Sequence, residues 1–272
     1  MFEEIIRSAI MEDLGEQGDI TTNCIFEKEE VNFSIISKES MMVSGIVAVK
    51  EIFEIFSKKI NFTILECDGN NIQSGTVIVK GYGPASEILS IERVLLNFLQ
   101  RASSISSRTR DFVSKVAGTK AKIRSTRKTS PGLRNFDLYA VRVGGGESYR
   151  DGLYNGIMVK DNHIVGCGSI TECVSRIRRK LGDVFITVEC DNKLQVEESI
   201  KSSVNLIMLD NMGVSDIKDS IKMIGNSAMV EVSGGVNIEN IREIASLGAD
   251  YISIGSITNS FTCKDISLEV FK

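Results

Sequence analysis

The sequence predicts an α/β protein whose larger part is a β/α barrel. Short apolar runs recur after Gly118, and amphipathic stretches of helical periodicity separate the later ones. Such an alternation forms a parallel sheet with right-handed crossovers. Polar, charged or glycine residues follow nearly every run, and a barrel gathers all of its C-terminal strand ends around one mouth. An open doubly wound sheet is the alternative, but it would use only the strands at its switch point.

Six runs have the length and composition of barrel strands; they span residues 121–124, 156–159, 184–188, 205–209, 229–232 and 251–254. Helices are expected between the later strands, at about 170–181, 193–203, 214–224 and 238–247. Glu189, Asp210 and Glu231 follow one another at intervals of 21 residues, which suits one strand, one helix and two short loops. Leu138–Val143 is a candidate for a seventh strand. With six or seven strands, the pattern does not establish a regular eight-stranded barrel.

The first third of the chain predicts a small α/β domain. Helices are expected over residues 2–12 and 46–58, and strands over 31–37, 60–66 and 76–82. Asp19 is a candidate helix cap. A long amphipathic helix from about residue 85 to 116 links the two parts. We place the first domain, with this linking helix, at residues 1–103 and the barrel at 104–272, with the last few residues packing back on the first domain.

Composition argues against several classes of protein. No apolar run approaches the ~20 residues needed to cross a bilayer, and the acidic N-terminus is unlike a secretory signal. The six cysteines are scattered without a C-x-x-C pair, which disfavours zinc and a disulfide framework. His163 is the only histidine. We expect a protein of the reduced cytoplasm that does not associate with membranes.

Positive charge is concentrated in the middle of the chain. Residues 101–180 hold 17 Lys and Arg against 6 Asp and Glu, whereas the rest of the chain holds 15 and 30. Nucleic acid is one reading of such a segment. The aromatic residues there lack the interleaved pattern of a single-strand binder. We expect no nucleic acid and favour a small polyanionic substrate.

The strongest local motif is segment 125–132, Ser-Thr-Arg-Lys-Thr-Ser-Pro-Gly, which follows the first barrel strand. Arg127 offers a planar fork to a carboxylate or phosphate, and Lys128 offers a point charge. Hydroxyl groups such as that of Thr126 flank both cations. The motif predicts an anion site, and an ordinary solvated loop is the alternative when the motif is taken alone.

Two further segments carry candidate ligand groups. The turn at 144–150, Gly-Gly-Gly-Glu-Ser-Tyr-Arg, allows backbone N–H groups to approach an anion, although a flexible turn is equally consistent with it. It matches neither the P-loop nor the dinucleotide pattern. Lys160 ends a strand, and either a Schiff base or charge pairing with a carboxylate suits it. For His163 a structural hydrogen bond is favoured over catalysis.

Acids and glycines close the remaining strands. Glu189 and Asp210 suggest Mg²⁺ shared with substrate oxygens, or hydrogen bonds to ribose hydroxyls; pairing with Lys128 and Lys160 is the alternative. Segments Ser233-Gly234-Gly235 and Gly255-Ser256 end the last two strands. Glycine turns after the late strands of a barrel commonly hold phosphate, so we expect a phosphate site there.

Several of these segments together resemble the quinolinate phosphoribosyltransferase family. The matching segments are 12–15 with 18–22, 92–97, 126–129 with 131–134, 144–150 and 159–163, in the same order and spacing over essentially the whole chain. The resemblance implies an N-terminal α/β sandwich followed by an incomplete β/α barrel, assembled as a homodimer or a higher oligomer. It also implies a pentosyltransferase that converts quinolinate and phosphoribosyl pyrophosphate, with Mg²⁺, into nicotinate mononucleotide, pyrophosphate and CO₂, a step of NAD biosynthesis.

The resemblance also implies roles for individual residues. Arg127, Arg150 and Lys160 are implied to hold the quinolinate carboxylates, with Arg93 reaching in from a partner subunit. Lys128, Glu189 and Asp210 are implied to serve phosphoribosyl pyrophosphate and its metal. The residues implied to hold its 5′-phosphate are Ser233, Gly234, Gly235, Ile254, Gly255 and Ser256. Thr126 and Tyr149 are further implied substrate contacts. Glu189, Asp210, Lys128 and Lys160 are the candidate catalytic residues, and Glu189 and Asp210 the candidate Mg²⁺ ligands, directly or through water or substrate. The barrel pattern alone gives no reason to select Arg93.

One position departs from the family pattern. Where the family usually has His before the arginine of the glycine turn, this chain has Tyr149. A tyrosine hydroxyl can donate to a carboxylate but adds no positive charge near neutral pH. We expect an altered quinolinate affinity, and a related phosphoribosyltransferase for another carboxylated heterocycle remains an alternative. A Schiff-base aldolase or a catalytically silent binding protein explains fewer of these residues.

Overall fold

The computed structural model describes all residues from 1 to 272, and they form two compact units. The first unit comprises Met1–Arg110, Ser130–Gly144 and Ser260–Lys272; the second comprises Asp111–Thr129 and Gly145–Asn259. The sequence places one domain boundary between residues 103 and 104, whereas these units interleave along the chain. The segment Ser130–Gly144 joins the first unit because buried Phe136 contacts Phe2 and Phe98 edge to face.

The elements of the first unit follow the chain in three stretches. Its helices are α1 (Glu3–Leu14), α2 (Ile20–Ile25), α3 (Ile46–Phe56), α4 (Ala85–Lys115, as far as Arg110) and α5 (Arg134–Val143). Its strands are β1 (Glu30–Ser37), β2 (Met41–Met42), β3 (Asn61–Ile64), β4 (Asn71–Ile72), β5 (Val77–Pro84) and β12 (Ile266–Phe271). Asp19 caps α2 by accepting a hydrogen bond from the Thr22 amide, as the sequence predicts.

The first unit is built on an antiparallel sheet with the strand order β12-β1-β5-β3. The ring of Phe33 in β1 packs against Phe53 of α3, with 5.7 Å between the centroids. Gly81 of β5 lies directly opposite Phe33. A Cβ at Gly81 would lie 2.4 Å from that ring, so glycine is needed for the ring to lie over strand β5.

The second unit is the predicted barrel. Its strands are β6 (Lys122–Arg124), β7 (Ile157–Val159), β8 (Ile186–Cys190), β9 (Leu206–Asp210), β10 (Met229–Ser233) and β11 (Tyr251–Ser253). Its helices, apart from the end of α4, are α6 (Asp161–Cys167), α7 (Ile170–Leu181), α8 (Lys193–Lys201), α9 (Val214–Ile224), α10 (Ile241–Ser246) and α11 (Ser256–Asn259).

All six strands of this sheet are parallel, in the order β6-β11-β10-β9-β8-β7. No ladder joins β6 to β7, so the barrel is incomplete between these two strands. The fold class predicted from the sequence is therefore confirmed. Their C-terminal ends lie at one edge of the sheet, which collects the residues that follow each strand.

The expected seventh strand near Leu138–Val143 is wrong, because these residues belong to helix α5. Phe136, Asp137, Ala140 and Val141 are buried in that helix, so each buried residue has another three or four positions away, as on one helical face. A short apolar run is compatible with both the helical and the strand periodicity, so its pattern does not decide between strand and helix. None of the helices is long and apolar enough to span a membrane.

Candidate active site

A cavity of about 360 Å³ opens at the C-terminal ends of the barrel strands. Its lining is polar and charged, with two methionines: Ser125, Thr126, Arg127, Lys128, Tyr149, Arg150, Met158, Lys160, Glu189, Met208, Asp210, Glu231, Ser233 and Ser253. Nine of the residues selected from the sequence lie in this list. The structure thus brings the predicted cations and acids together in one pocket of the second unit.

The cationic motif forms the loop that leaves β6. The Lys128 amide donates to Thr126 Oγ1 at 3.1 Å, and the Thr258 hydroxyl donates to the Lys128 carbonyl at 2.8 Å. These bonds fix the backbone and leave the Lys128 side chain exposed. The Nε of Arg127 is buried and has no hydrogen-bond acceptor. A buried guanidinium N–H without an acceptor is suited to an anionic ligand.

Arg150 provides the second guanidinium of the pocket. Burial lowers the pKa of Arg150, and the nearby charge of Arg127 lowers it further, while Tyr149 and Glu189 act in the opposite direction. Arg127 and Arg150 line the same cavity, and the charge of Arg127 acts on Arg150, so the two cations lie close together. Like charges at close range repel, so a ligand with negative charge would relieve this repulsion. The arrangement favours a dianion.

Lys160 and Glu189 form an ion pair at the ends of neighbouring strands β7 and β8. Their side chains are 39% and 17% exposed, so both still face the cavity. The pairing favours a charge role for Lys160 over a Schiff base, since a nucleophilic amine must be neutral. His163 lies outside the lining, and its Nδ1 accepts a hydrogen bond from the Lys160 amide at 3.0 Å. Its favoured structural role is thereby supported.

Asp210 ends β9, and the residue after it, Asn211, contacts the turn that follows β10. Its carboxylate accepts a hydrogen bond from the Asn211 side-chain amide at 2.7 Å, and the Asn211 backbone amide donates to the Ser233 carbonyl at 2.9 Å. Gly234 and Gly235 both have positive φ, 82° and 65°. A Cβ on Gly234 would come within 2.2 Å of Asn211 Oδ1, so only glycine fits there.

A buried ion pair that the sequence does not predict underlies this site. Arg124 donates to Glu231 at 2.9 Å, and the Ser253 hydroxyl also donates to Glu231. Glu231 and Glu189 occupy one level of the sheet, since each pairs with Met208, whereas Asp210 lies two residues further along β9. The regular 21-residue spacing of Glu189, Asp210 and Glu231 is the feature of the sequence that singles out Glu231. This spacing alone does not show that Glu231 pairs with a buried arginine.

The remaining predicted residues lie outside the cavity lining. Gly235 is exposed, and Ile254 is buried. Gly255 lies against Lys128, because a Cβ there would be 3.0 Å from the lysine Cδ, and Ser256 begins helix α11. Arg93 is exposed on α4 in the first unit and does not line the pocket.

Chemically, this pocket is suited to binding and orienting a small polyanion. It contains two guanidiniums and two ammoniums, with two carboxylates at the strand ends and a pair of left-handed glycines nearby. The described residues include no cluster of three or more His, Cys, Asp and Glu side chains suited to a metal ion.

Comparison with known proteins finds the same family in both parts of the chain. Residues 19–103 match the family model for the N-terminal domain of quinolinate phosphoribosyl transferase, and residues 105–269 match the model for its C-terminal domain. A crystal structure of nicotinate-nucleotide pyrophosphorylase from Ehrlichia chaffeensis is 51% identical, with a TM-score of 0.98, and covers 100% of this chain and 99% of that one.

Curated relatives show the same similarity. A probable nicotinate-nucleotide pyrophosphorylase (carboxylating) of Bacillus subtilis (strain 168) is 37% identical over 269 residues, covering 98% of this chain and 93% of the relative. A nicotinate-nucleotide pyrophosphorylase (carboxylating) of Mycobacterium leprae is 33% identical over 275 residues, covering 98% and 96%. The chain belongs to the quinolinate phosphoribosyltransferase family.

Proposed function

We propose that this chain transfers the phosphoribosyl group of phosphoribosyl pyrophosphate to quinolinate with loss of CO₂, giving nicotinate mononucleotide and pyrophosphate. The observation that carries this proposal is the clustering of Arg127, Arg150 and Lys160 in one cavity beside Glu189 and Asp210. A dicarboxylate and a sugar phosphate together match that charge pattern. The family membership gives the reaction class, that of a pentosyltransferase in NAD biosynthesis.

Three cations hold the two carboxylates of quinolinate in this proposal. Arg127 and Arg150 each offer a planar set of donors, which suits bidentate binding of a carboxylate. The buried Arg127 Nε without an acceptor supports this role. Lys160 contributes its ammonium group, which the ion pair with Glu189 holds in place.

Phosphoribosyl pyrophosphate occupies the adjacent strand ends. Lys128 and Thr126 are proposed to contact its pyrophosphate, and Asp210 its ribose or metal. The turns at 233–235 and 254–256 are proposed to hold the 5′-phosphate. Support comes from Gly234 and Gly235, because consecutive glycines of positive φ present backbone N–H groups to an anion.

Mg²⁺ fits the donor set only if the substrate supplies most of its ligands. Asp210 is the better protein ligand because its one hydrogen-bond donor partner is the neutral amide of Asn211, whereas Glu189 is paired with Lys160. Hard oxygen donors of this kind suit Mg²⁺, which commonly binds one or two carboxylates plus phosphate oxygens. When bound, the ion would neutralise charge on the departing pyrophosphate.

The chain's own residues then position the reactants and balance developing charge. The ring nitrogen of quinolinate attacks the anomeric carbon as the bond to pyrophosphate breaks. Positive charge develops on the ribose, and Glu189 or Asp210 stabilises it electrostatically. As the adjacent carboxylate leaves as CO₂, the electron pair of the broken C–C bond stays on C2 beside the positively charged pyridinium nitrogen. C2 then takes a proton from solvent to complete nicotinate mononucleotide. Holding both reactants in line supplies much of the acceleration, and no general base is required.

A homodimer, or a higher oligomer, is part of the proposal, with Arg93 contributed by the partner subunit. Support comes from large apolar side chains that are exposed in each unit. Met11, Ile20 and Ile25 are 61–65% exposed in the first unit, and Leu153 and Tyr154 are 75% and 86% exposed in the second. Such side chains are available for burial against another chain. We also propose a cytoplasmic location, because the scattered cysteines suit a reducing compartment.

The direct test is an assay of the purified protein with quinolinate, phosphoribosyl pyrophosphate and Mg²⁺, followed by detection of nicotinate mononucleotide. Nicotinic acid serves as a parallel substrate. Product from quinolinate and none from nicotinic acid supports a pocket for two carboxylates, and chelation of Mg²⁺ is expected to abolish turnover. No product from quinolinate would contradict the proposed reaction.

Mixing inactive Arg93→Gln with inactive Glu189→Gln subunits tests the shared site, since activity returns only if Arg93 acts in trans.

A further inference from the structure

The barrel of the second unit has one open side, between its edge strands β6 and β7. The segment that begins at Glu147 runs beside β6. The Glu147 amide donates to the Ile123 carbonyl at 2.8 Å, and the Ser125 amide donates to the Glu147 carbonyl at 3.0 Å. These two bonds form an isolated parallel bridge, so the backbone at Glu147 is anchored to the edge strand.

Two residues later, Tyr149 reaches the other side of this opening. Its hydroxyl shares a hydrogen bond of 2.8 Å with Thr187 Oγ1 in β8, the strand next to edge strand β7. Thr187 is fully buried. The tyrosine ring also packs near Phe185, with 6.3 Å between the centroids. The hydroxyl of Tyr149 is therefore bound to the sheet itself.

Arg124 holds the same ring from the β6 side. Its guanidinium lies 5.0 Å from the Tyr149 ring centroid and 3.1 Å from that of Tyr251. Arg124 is only 9% exposed in its side chain, and Glu231 fixes it through a hydrogen bond of 2.9 Å. A guanidinium stacked on an aromatic ring and tied to a buried carboxylate is a rigid support.

We propose that Tyr149 is a positioning residue that bridges the open side of the barrel and so holds Arg150 in the substrate pocket. This inference rests on the proposed function, in which Arg150 binds a quinolinate carboxylate. The hydroxyl of Tyr149 is committed to Thr187. Its part in catalysis is thus to fix the backbone that carries the neighbouring guanidinium.

The geometry around Arg150 agrees with this role. The preceding backbone is anchored twice, at Glu147 through the bridge to β6 and at Tyr149 through Thr187. Gly156 packs against both side chains, because a Cβ there would lie 3.5 Å from Arg150 Cγ and 3.6 Å from Tyr149 Cζ. Releasing the Tyr149 anchor would leave Arg150 attached to a looser segment, and a looser guanidinium binds a carboxylate less tightly.

A double-mutant cycle tests the coupling. Tyr149→Phe and Thr187→Val each remove one partner of the hydrogen bond while retaining the shape of the side chain. We expect each to raise the KM for quinolinate about 3- to 10-fold with little change in kcat, and the double variant to be no worse than either single variant. Multiplying effects in the double variant, or an unchanged KM in Tyr149→Phe, would overturn the proposal. The matched control is Tyr82→Phe, which removes a phenolic hydrogen bond to Glu30 in the first unit.

A second measurement needs no turnover and separates this inference from the proposed function. Phenylglyoxal modifies accessible arginines, and the extent of labelling at Arg150 can be read by peptide mass spectrometry on the full-length protein. We expect Tyr149→Phe and Thr187→Val to label faster at Arg150 than wild type, with Tyr82→Phe unchanged. If the wild type does not convert quinolinate, the proposed function fails, while faster labelling still supports the positioning role. Equal labelling in all four proteins contradicts that role whatever the activity.

Discussion

Lys160 and Glu189 form an ion pair across the ends of two adjacent parallel strands, and both side chains face the same cavity. The pair keeps the carboxylate of Glu189 fixed beside the cations that are proposed to bind quinolinate. A fixed negative charge next to the reacting sugar stabilises positive charge that develops there, because the site does not have to reorganise. In the proposed mechanism, the ion pair therefore links carboxylate binding to the electrostatics of the transition state.

Replacing Glu189 by Gln tests this link. The amide keeps the size of the side chain but removes the charge that is proposed to stabilise the ribose. We expect turnover at saturating substrate to fall by two or more orders of magnitude, with a smaller change in KM. Initial rates of nicotinate mononucleotide formation provide the measurement. Glu197→Gln, on the exposed side of α8, is the control and is expected to behave as wild type. Near-normal turnover in Glu189→Gln would remove this residue from the mechanism.

Arg127→Lys separates the geometry of the first guanidinium from its charge. Lysine retains the positive charge but cannot offer two parallel donors to one carboxylate. Loss of a charged hydrogen bond is worth about 1.5–3 kcal/mol, which corresponds to a rise of roughly 10- to 100-fold in the KM for quinolinate. The KM for phosphoribosyl pyrophosphate is expected to change much less. Arg110→Lys, on the exposed side of α4, is the matched control, and a comparable rise in that variant would contradict a specific role for Arg127.

Gly234 and Gly235 allow a comparison between adjacent residues of the same turn. Both have positive φ, so alanine is strained at either position. At Gly234 a Cβ would also lie 2.7 Å from the Asn211 backbone nitrogen, whereas at Gly235 nothing lies within 4 Å. We expect Gly235→Ala to cost about 1 kcal/mol in unfolding free energy and Gly234→Ala to cost more. Gly234→Ala is also expected to raise the KM for phosphoribosyl pyrophosphate more strongly. Equal effects in thermal unfolding and kinetics would show that the contact with Asn211 is unimportant.

The sequence predicted the barrel and most of its pocket for a definite physical reason. Parallel strands end at one edge, so residues that follow successive apolar runs converge, as Arg127, Lys160 and Glu189 do. What a sequence pattern does not contain is the partner of each side chain. Arg124 and Glu231 pair across strands that lie 107 residues apart, and the Tyr149 hydroxyl binds Thr187 38 residues away. Such contacts depend on strand order and register, which only the folded chain shows.

The first unit was predicted less completely, because its contacts join distant stretches. The sequence predicts a strand at Leu138–Val143, inside helix α5, since five apolar residues in a run of six fit the period of a strand or of a helix. Its membership of the first unit depends on Phe136 packing against Phe2, residues that the sequence places far apart. Arg93 is exposed on α4, and its predicted role lies in a partner subunit.

Asp19 provides a prediction about pH, because it caps α2 with an ionised carboxylate. Hydrogen bonds from the Thr22 hydroxyl and amide lower the pKa of Asp19 below its ordinary value of 3.8. A carboxyl group with a lowered folded-state pKa stabilises the fold above its unfolded pKa, and this contribution is lost as the pH falls through the folded-state pKa. We expect Asp19→Ala to cost about 1 kcal/mol at pH 7, a Tm decrease of roughly 2–4 °C. The Tm difference between wild type and Asp19→Ala is expected to shrink as the pH is lowered below about 4. Asp183→Ala removes an exposed carboxylate and serves as the control. A difference that stays constant from pH 7 to pH 3 would mean that the cap acts through shape and not through its charge.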